Sequence, residues 1–148
     1  MAINNSKVVV GGLVSGLVMN VVGFVVNGYL LRNRMEAEML AVAPTLAGKG
    51  MSGGTIAARV VTQFVVGILL VWIYAAIRPR FGPGMRTATK AGLVVWAFGF
   101  LFYLDWLYVD LMTPATYAII SVVQLITVLV AAWAGCKLYT ENGATPMA

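Results

Sequence analysis

The sequence contains no histidine and one cysteine in 148 residues. Without imidazole, bis-histidine haem ligation and histidine-based metal sites are excluded. Cys136 alone forms no internal disulfide and runs no dithiol–disulfide exchange, so the chain does not fit the four-helix quinone-linked disulfide oxidases. Charge is scarce as well: 10% of residues are charged, with five Asp or Glu against ten Lys or Arg. A soluble domain is nearer a quarter charged.

What fills the sequence is hydrocarbon. It is 61% hydrophobic, with mean hydropathy +0.90. A protein of this length has too little interior to hide that surface from water, so lipid must cover part of it. The length accommodates one domain. The net charge of +5 is spread between apolar runs, which points to anionic lipid headgroups as partners and away from nucleic acid.

Runs of about 20 apolar residues match a hydrocarbon core of about 30 Å when helical. Four such runs are found, at 8–31, 56–77, 91–112 and 115–135. None alternates with period two, and backbone groups in lipid have no outside partner, so helices are expected. The predicted fold is all-α, a single transmembrane domain forming a four-helix bundle.

The connection "RPRFGPGMRTATK" holds Arg78, Arg80, Arg86 and Lys90 and no acid. The positive-inside rule places it in the cytoplasm, with both termini on the same side (N-in, C-in). Asp105 and Asp110 then lie outside, as do Arg32, Arg34, Lys49 and Arg59, which weaken the contrast. The first run is too long for a signal-peptide core, and a charged segment separates it from Ala41-Val42-Ala43, so cleavage is not expected. After it, Leu31, Met35, Met39 and Val42 recur at helical spacing, predicting an amphipathic extension over 32–43. The loop "GKGMSGG" from Gly48 lacks the spacing of a phosphate-binding Walker A loop.

Polar and small residues inside the spans are concentrated on helix faces. Gly12, Gly16, Asn20, Gly23 and Asn27 share one face of the first helix. Small residues let a neighbouring helix approach, and amides facing lipid would be unsatisfied, so this stripe faces protein. With Gln63 of the second span and Gln124 of the fourth it forms a polar seam, read first as packing and otherwise as a ligand cavity. Small multidrug exporters share the four-helix plan but depend on a membrane-embedded glutamate in the first helix. Asn20 occupies that depth here, which disfavours a proton-coupled carrier of that type.

Arg59 lies about one turn inside the second span, at the depth of Asp105 and Asp110. An Arg59–Asp105 or Arg59–Asp110 ion pair is one expectation, and snorkelling to headgroups is the other. Glu36, Glu38, Asp105 and Asp110 are rich enough in oxygen for a divalent cation, but solvated pairing with the nearby arginines is preferred. No metal, cofactor or catalytic residue is predicted.

The segment "YAAIRPRFGPGMRTA" from Tyr74, with "GGLVSGLVMNVVGFVVNGYLL" near the start, resembles an uncharacterised family of small bacterial four-span membrane proteins. The resemblance covers about two thirds of the chain. It implies a bacterial inner-membrane location and carries over no catalytic residue. Arg78, Arg80, Arg86 and Lys90 are expected to meet anionic headgroups. The functional expectation is a structural, accessory or interaction subunit, with a homo-oligomer or another membrane protein as partner. The alternative is a transporter or a small-molecule- or lipid-binding protein using the polar seam.

Overall fold

The computed structural model describes residues 3–46 and 50–140; Gly48 and Lys49, placed in a far-side loop above, lie outside them. The elements are α1 (Asn5–Val25), a π-helical turn (Val26–Leu30), α2 (Arg32–Val42), a 3-10 turn (Pro44–Leu46), α3 (Gly53–Phe81), α4 (Met85–Tyr108) and α5 (Pro114–Cys136). The described residues include no strand. Four segments are long and apolar enough to cross a membrane: Asn5–Leu30, Gly53–Phe81, Met85–Tyr108 and Pro114–Cys136. This is a multi-pass helical bundle.

Local chemistry explains where these helices begin. Asn4, Ser52 and Thr113 occupy the N-cap positions of α1, α3 and α5, and each side-chain oxygen accepts from a backbone N–H three residues on. Pro114 follows Thr113 at the first helical position, where a missing N–H costs nothing. Between α3 and α4 the chain reverses at Gly82-Pro83-Gly84, with φ of 80° and 122° at the two glycines.

Three sequence-derived boundaries need correction. Most of the expected Arg78–Lys90 loop is helical, because α3 runs through Pro79 to Phe81 and α4 starts at Met85. Pro79 forfeits one backbone bond in the last turn, where the helix is about to stop at Gly82. The third span ends at Tyr108, short of Met112, since Asp110 adopts φ 55° and Leu111 N–H bonds back to Trp106 O at 2.9 Å. The extension over 32–43 is a separate helix, α2, set off from α1 by the π-turn and by Leu31 at ψ −1°.

In the bundle, α1 packs on α3 and α5, and α4 packs on the same two from the opposite side. Small residues set the closest approaches, as expected where lipid is as apolar as the side chains. A Cβ on Gly67 of α3 would collide with Gly12 O and Gly16 N of α1, and one on Gly16 would meet Phe64 Cα at 2.7 Å. On the neighbouring face of α1, a Cβ on Gly11 would meet Gly135 O of α5 at 2.6 Å. Ser15 Oγ, fully buried, donates to Ala131 O at 2.8 Å across that same contact.

The packing is uneven along the bundle axis. Buried residues of α1 run from Val8 to Met19, those of α3 from Gly67 to Arg78, and those of α4 from Thr87 to Gly92. All belong to the half that ends in Lys7, Arg80, Arg86, Lys90 and Lys137, called the basic end below. There Tyr74 and Tyr139 meet edge to face at 5.9 Å, with the Arg78 guanidinium 5.5 Å from the Tyr139 ring centre. Tyr139 Oη accepts from Asn4 N–H at 3.3 Å, so the two terminal segments meet at this end, as an even number of crossings requires. Toward the far end α3 leaves the bundle, every residue from Met51 to Thr62 being exposed. There α4 stays on α5, through Trp96 Nε1 donating to Ser121 O at 2.9 Å and Tyr117 Oη to Phe100 O at 3.0 Å.

Candidate functional site

The small-residue stripe of α1 begins as packing and ends as a cavity wall. Gly12 and Gly16 are buried against α3. One helical turn further on, Asn20 spans the widening gap: its Nδ2 donates to Gly16 O at 2.9 Å and to Val60 O of α3 at 3.3 Å. Beyond Asn20 the helices no longer touch closely, and a Cβ on Gly23 would meet only Asn27 Nδ2, at 3.9 Å.

The space that opens is a cavity of about 260 Å³. Asn20, Gly23 and Asn27 line one wall, Arg59 and Gln63 the other, with Met19, Phe24, Ile56 and Val60 supplying apolar surface. Three of the four seam amides therefore converge. Gln124, on α5, does not line the cavity.

The π-turn shapes the upper wall. Leu31 N–H bonds to Val26 O at 2.8 Å, five residues back, and Asn27 and Gly28 within this turn both face the cavity. Asn27 Nδ2 donates to Gly23 O at 2.8 Å, the carbonyl that a regular α-helix would offer to the Asn27 backbone N–H. Side chain and backbone thus compete for one acceptor where the helix widens. Such widenings are frequent at functional sites.

Arg59 is exposed, and its Nη1 donates to Met51 Sδ at 3.3 Å. Thioether sulfur is a weak acceptor. Among the described residues Arg59 has no acidic partner, and Asp105 and Asp110 are both exposed near the end of α4. The structure does not bring the expected Arg59–Asp105 or Arg59–Asp110 pair together. Gln63, half-buried, has no hydrogen-bond partner among the described residues.

Depth matters for Arg59. At 1.5 Å per residue α3 is about 44 Å long, against about 30 Å of hydrocarbon. Centred on the bilayer, it projects roughly 7 Å at each end, and Arg59 sits about 9 Å from its first residue. The guanidinium is then near the headgroup boundary, where a cation costs far less than at the midplane.

A second polar cluster binds α2 to the start of α5. Thr113 and Thr116 hydroxyls each donate to Glu38 Oε1 at 2.6 Å, and Arg34 Nε donates to Thr116 Oγ1. Partial burial pushes the Glu38 carboxyl up, but the two hydroxyls, the Thr113 backbone and nearby Arg34 more than offset it, leaving it below 4.5. Pairing with nearby arginines was expected of Glu38, but the threonines were missed; the signal was Thr-Pro opening an apolar run, an N-cap signature.

The four expected headgroup contacts divide. Arg80, Arg86 and Lys90 are exposed, Lys90 Nζ lying 3.8 Å from the Phe81 ring centre, whereas Arg78 is buried against Tyr139 and faces the bundle. Burial on the inner face of α3 removes Arg78 from the lipid-facing set. Glu36, Glu38, Asp105 and Asp110 do not gather, and no group of three His, Cys, Asp or Glu among the described residues is placed to hold a metal ion. No protein-family model, curated protein or solved structure matches the chain.

Proposed function

We propose that this chain is a structural or accessory subunit of the bacterial inner membrane, which associates with another membrane protein through the far half of its bundle. The observation that carries this reading is the uneven packing. The basic half is closed by glycine contacts between α1, α3 and α5, while the far half of α3 is open and that of α4 is covered only on its α5 side. Ile56, Val60, Val61 and Val65 on α3, with Phe98, Leu101 and Phe102 on α4, are exposed on segments that bundle neighbours would ordinarily flank.

The cytoplasmic side is assigned to the basic end. Arg80, Arg86 and Lys90 at the short turn, with Lys7 and Lys137 beside it, support N-in, C-in under the positive-inside rule and would meet anionic headgroups there. The bacterial origin rests on the likeness of "IRPRFGPG" and the glycine-rich first span to small four-span proteins.

A second reading, a membrane protein that binds a small molecule or lipid, is favoured by the cavity between α1 and α3. Native mass spectrometry of the protein, extracted in mild detergent from its own membranes, separates the two. A complex with a different polypeptide supports the accessory role; a monomer or homodimer that retains a small molecule supports the binding role and overturns the first.

A further inference from the structure

The cavity between α1 and α3 has a defined chemistry, and it rests on the second of the two readings above. We infer that it binds the headgroup end of an anionic phospholipid, with Arg59 as the anchor for the phosphate and the amides of Gln63 and Asn27 beside it. Three observations converge on this class of ligand.

The first is charge. A guanidinium presents planar, paired N–H donors that match phosphate oxygens, and among the described residues Arg59 has only the Met51 thioether as an acceptor. Among the described residues no carboxylate neutralises it, so the guanidinium is available to an anionic ligand.

The second is the placement of the amides. Gln63 faces the cavity half-buried with no partner among the described residues, so its amide is available to a ligand. Asn27 spends one donor on Gly23 O, leaving its carbonyl oxygen and second N–H.

The third is size. A cavity of about 260 Å³ is below the range of about 300–1,000 Å³ that encloses a drug-sized ligand. It holds part of an amphiphile whose remaining mass stays in the bilayer. Phe24, Ile56 and Val60, which line it, are themselves exposed, so the cavity opens at the bundle surface and an acyl chain can leave along them. Arg59 stands near headgroup depth by the length of α3, which sets the phosphate at its natural level.

The test is lipid retention by the full-length protein. Purified protein in mild detergent is titrated with phosphatidylglycerol, phosphatidylcholine or oleate and read by native mass spectrometry. The variants are Arg59→Gln, Ile56→Trp to fill the cavity without changing charge, and Arg32→Gln as a control at an exposed arginine outside the cavity lining. Thermal melting in the same detergent establishes that each variant is folded.

The expected result is one phosphatidylglycerol retained in preference to phosphatidylcholine, weakened about tenfold or more by Arg59→Gln, as for a lost charge-assisted hydrogen bond. Ile56→Trp should weaken it likewise, and Arg32→Gln should leave this site unchanged. Equal retention by wild type and Arg59→Gln overturns the inference, as does equal loss in Arg59→Gln and Arg32→Gln, which would mark diffuse surface attraction. Preference for oleate overturns the phospholipid assignment. If a neutral molecule is retained and lost only in Ile56→Trp, the binding reading survives and the anionic ligand does not. If nothing is retained by any variant, both fail.

Discussion

The contact between α1 and α3 gives a sharp prediction, because one glycine stripe passes from crowded to open within three turns. A Cβ at Gly67 would run into Gly12 O and Gly16 N, both backbone atoms that no rotamer change can move. Relief requires the two helices to separate, which also loosens Gly16 from Phe64 and Gly12 from Ile68. Overpacking of this kind costs about 1–3 kcal/mol, and the backbone nature of the clash puts Gly67→Ala at the upper end. Better helix propensity returns about 0.8–1.0 kcal/mol. The net expectation is a loss of about 2 kcal/mol, roughly a thirtyfold fall in the folded-to-unfolded ratio.

Gly23→Ala carries the same propensity gain, but its Cβ meets only an amide nitrogen at 3.9 Å. It should be neutral or stabilising by up to about 1 kcal/mol. Reversible unfolding in mixed micelles, followed by far-UV circular dichroism, measures both variants against wild type. If Gly67→Ala lies within about 0.5 kcal/mol of wild type, or if Gly23→Ala is equally damaging, the account of where this stripe packs is wrong.

Three other perturbations have signs set by the structure. Ser15→Ala removes the bond to Ala131 O from a buried site and should cost only about 0.6 kcal/mol, the average for membrane helix hydrogen bonds; a loss comparable to Gly67→Ala would mean that Ser15 does more than bond across α1 and α5. Tyr139→Ala empties the buried contact with Tyr74 and Arg78 and should cost about 3–5 kcal/mol, while Tyr139→Phe, which gives up one hydroxyl, should cost about 0.5–1.5 kcal/mol by the same unfolding assay. The Glu38 carboxyl is held below 4.5 in the fold, so its contribution to docking α2 is complete above that value and is lost as pH falls through the lower, folded one. The protection of α2 backbone amides relative to their intrinsic exchange rates should therefore fall at acid pH in wild type, and Glu38→Gln should show low protection at neutral pH with no further loss in acid.

The four crossings were legible because runs of apolar residues about as long as the bilayer is thick admit few other structures. Packing of Gly12 and Gly16 was legible for a related reason, since glycine on a helix face in lipid has little use except close approach. Periodicity alone does not carry depth, however. It placed Asn20, Gly23 and Asn27 on the same face as Gly12 and Gly16, and they are on that side, but it gave no sign that the partner helix leaves after Asn20. Arg59 and Asp105 were paired by estimated depth, and depth does not say which helices adjoin. The Arg78–Lys90 stretch was read as loop from Pro79 and the glycines, although a proline in the last turn of a helix forfeits only one backbone bond.

The π-turn was the least legible feature, and it governs the open half. Val-Asn-Gly-Tyr-Leu contains no proline, and Gly28 alone is a weak breaker. What distinguishes it is Asn27, whose side chain takes the Gly23 carbonyl and bears on the ladder one turn below. A buried asparagine in an apolar helix has two ways to satisfy its amide, across to a neighbour or back onto its own backbone. Asn20, still close to α3, does both; Asn27, where α3 has receded, does only the second. Divergence of α1 and α3 accompanies the loss of small residues from the contacting face of α3 over the two turns that follow Gly67 toward the far end: Phe64, Gln63, Val60 and Arg59 stand there. The residues that hold the helices apart are the residues that line the space between them, so the cavity is specified by the sequence of α3 as firmly as the glycine contact below it.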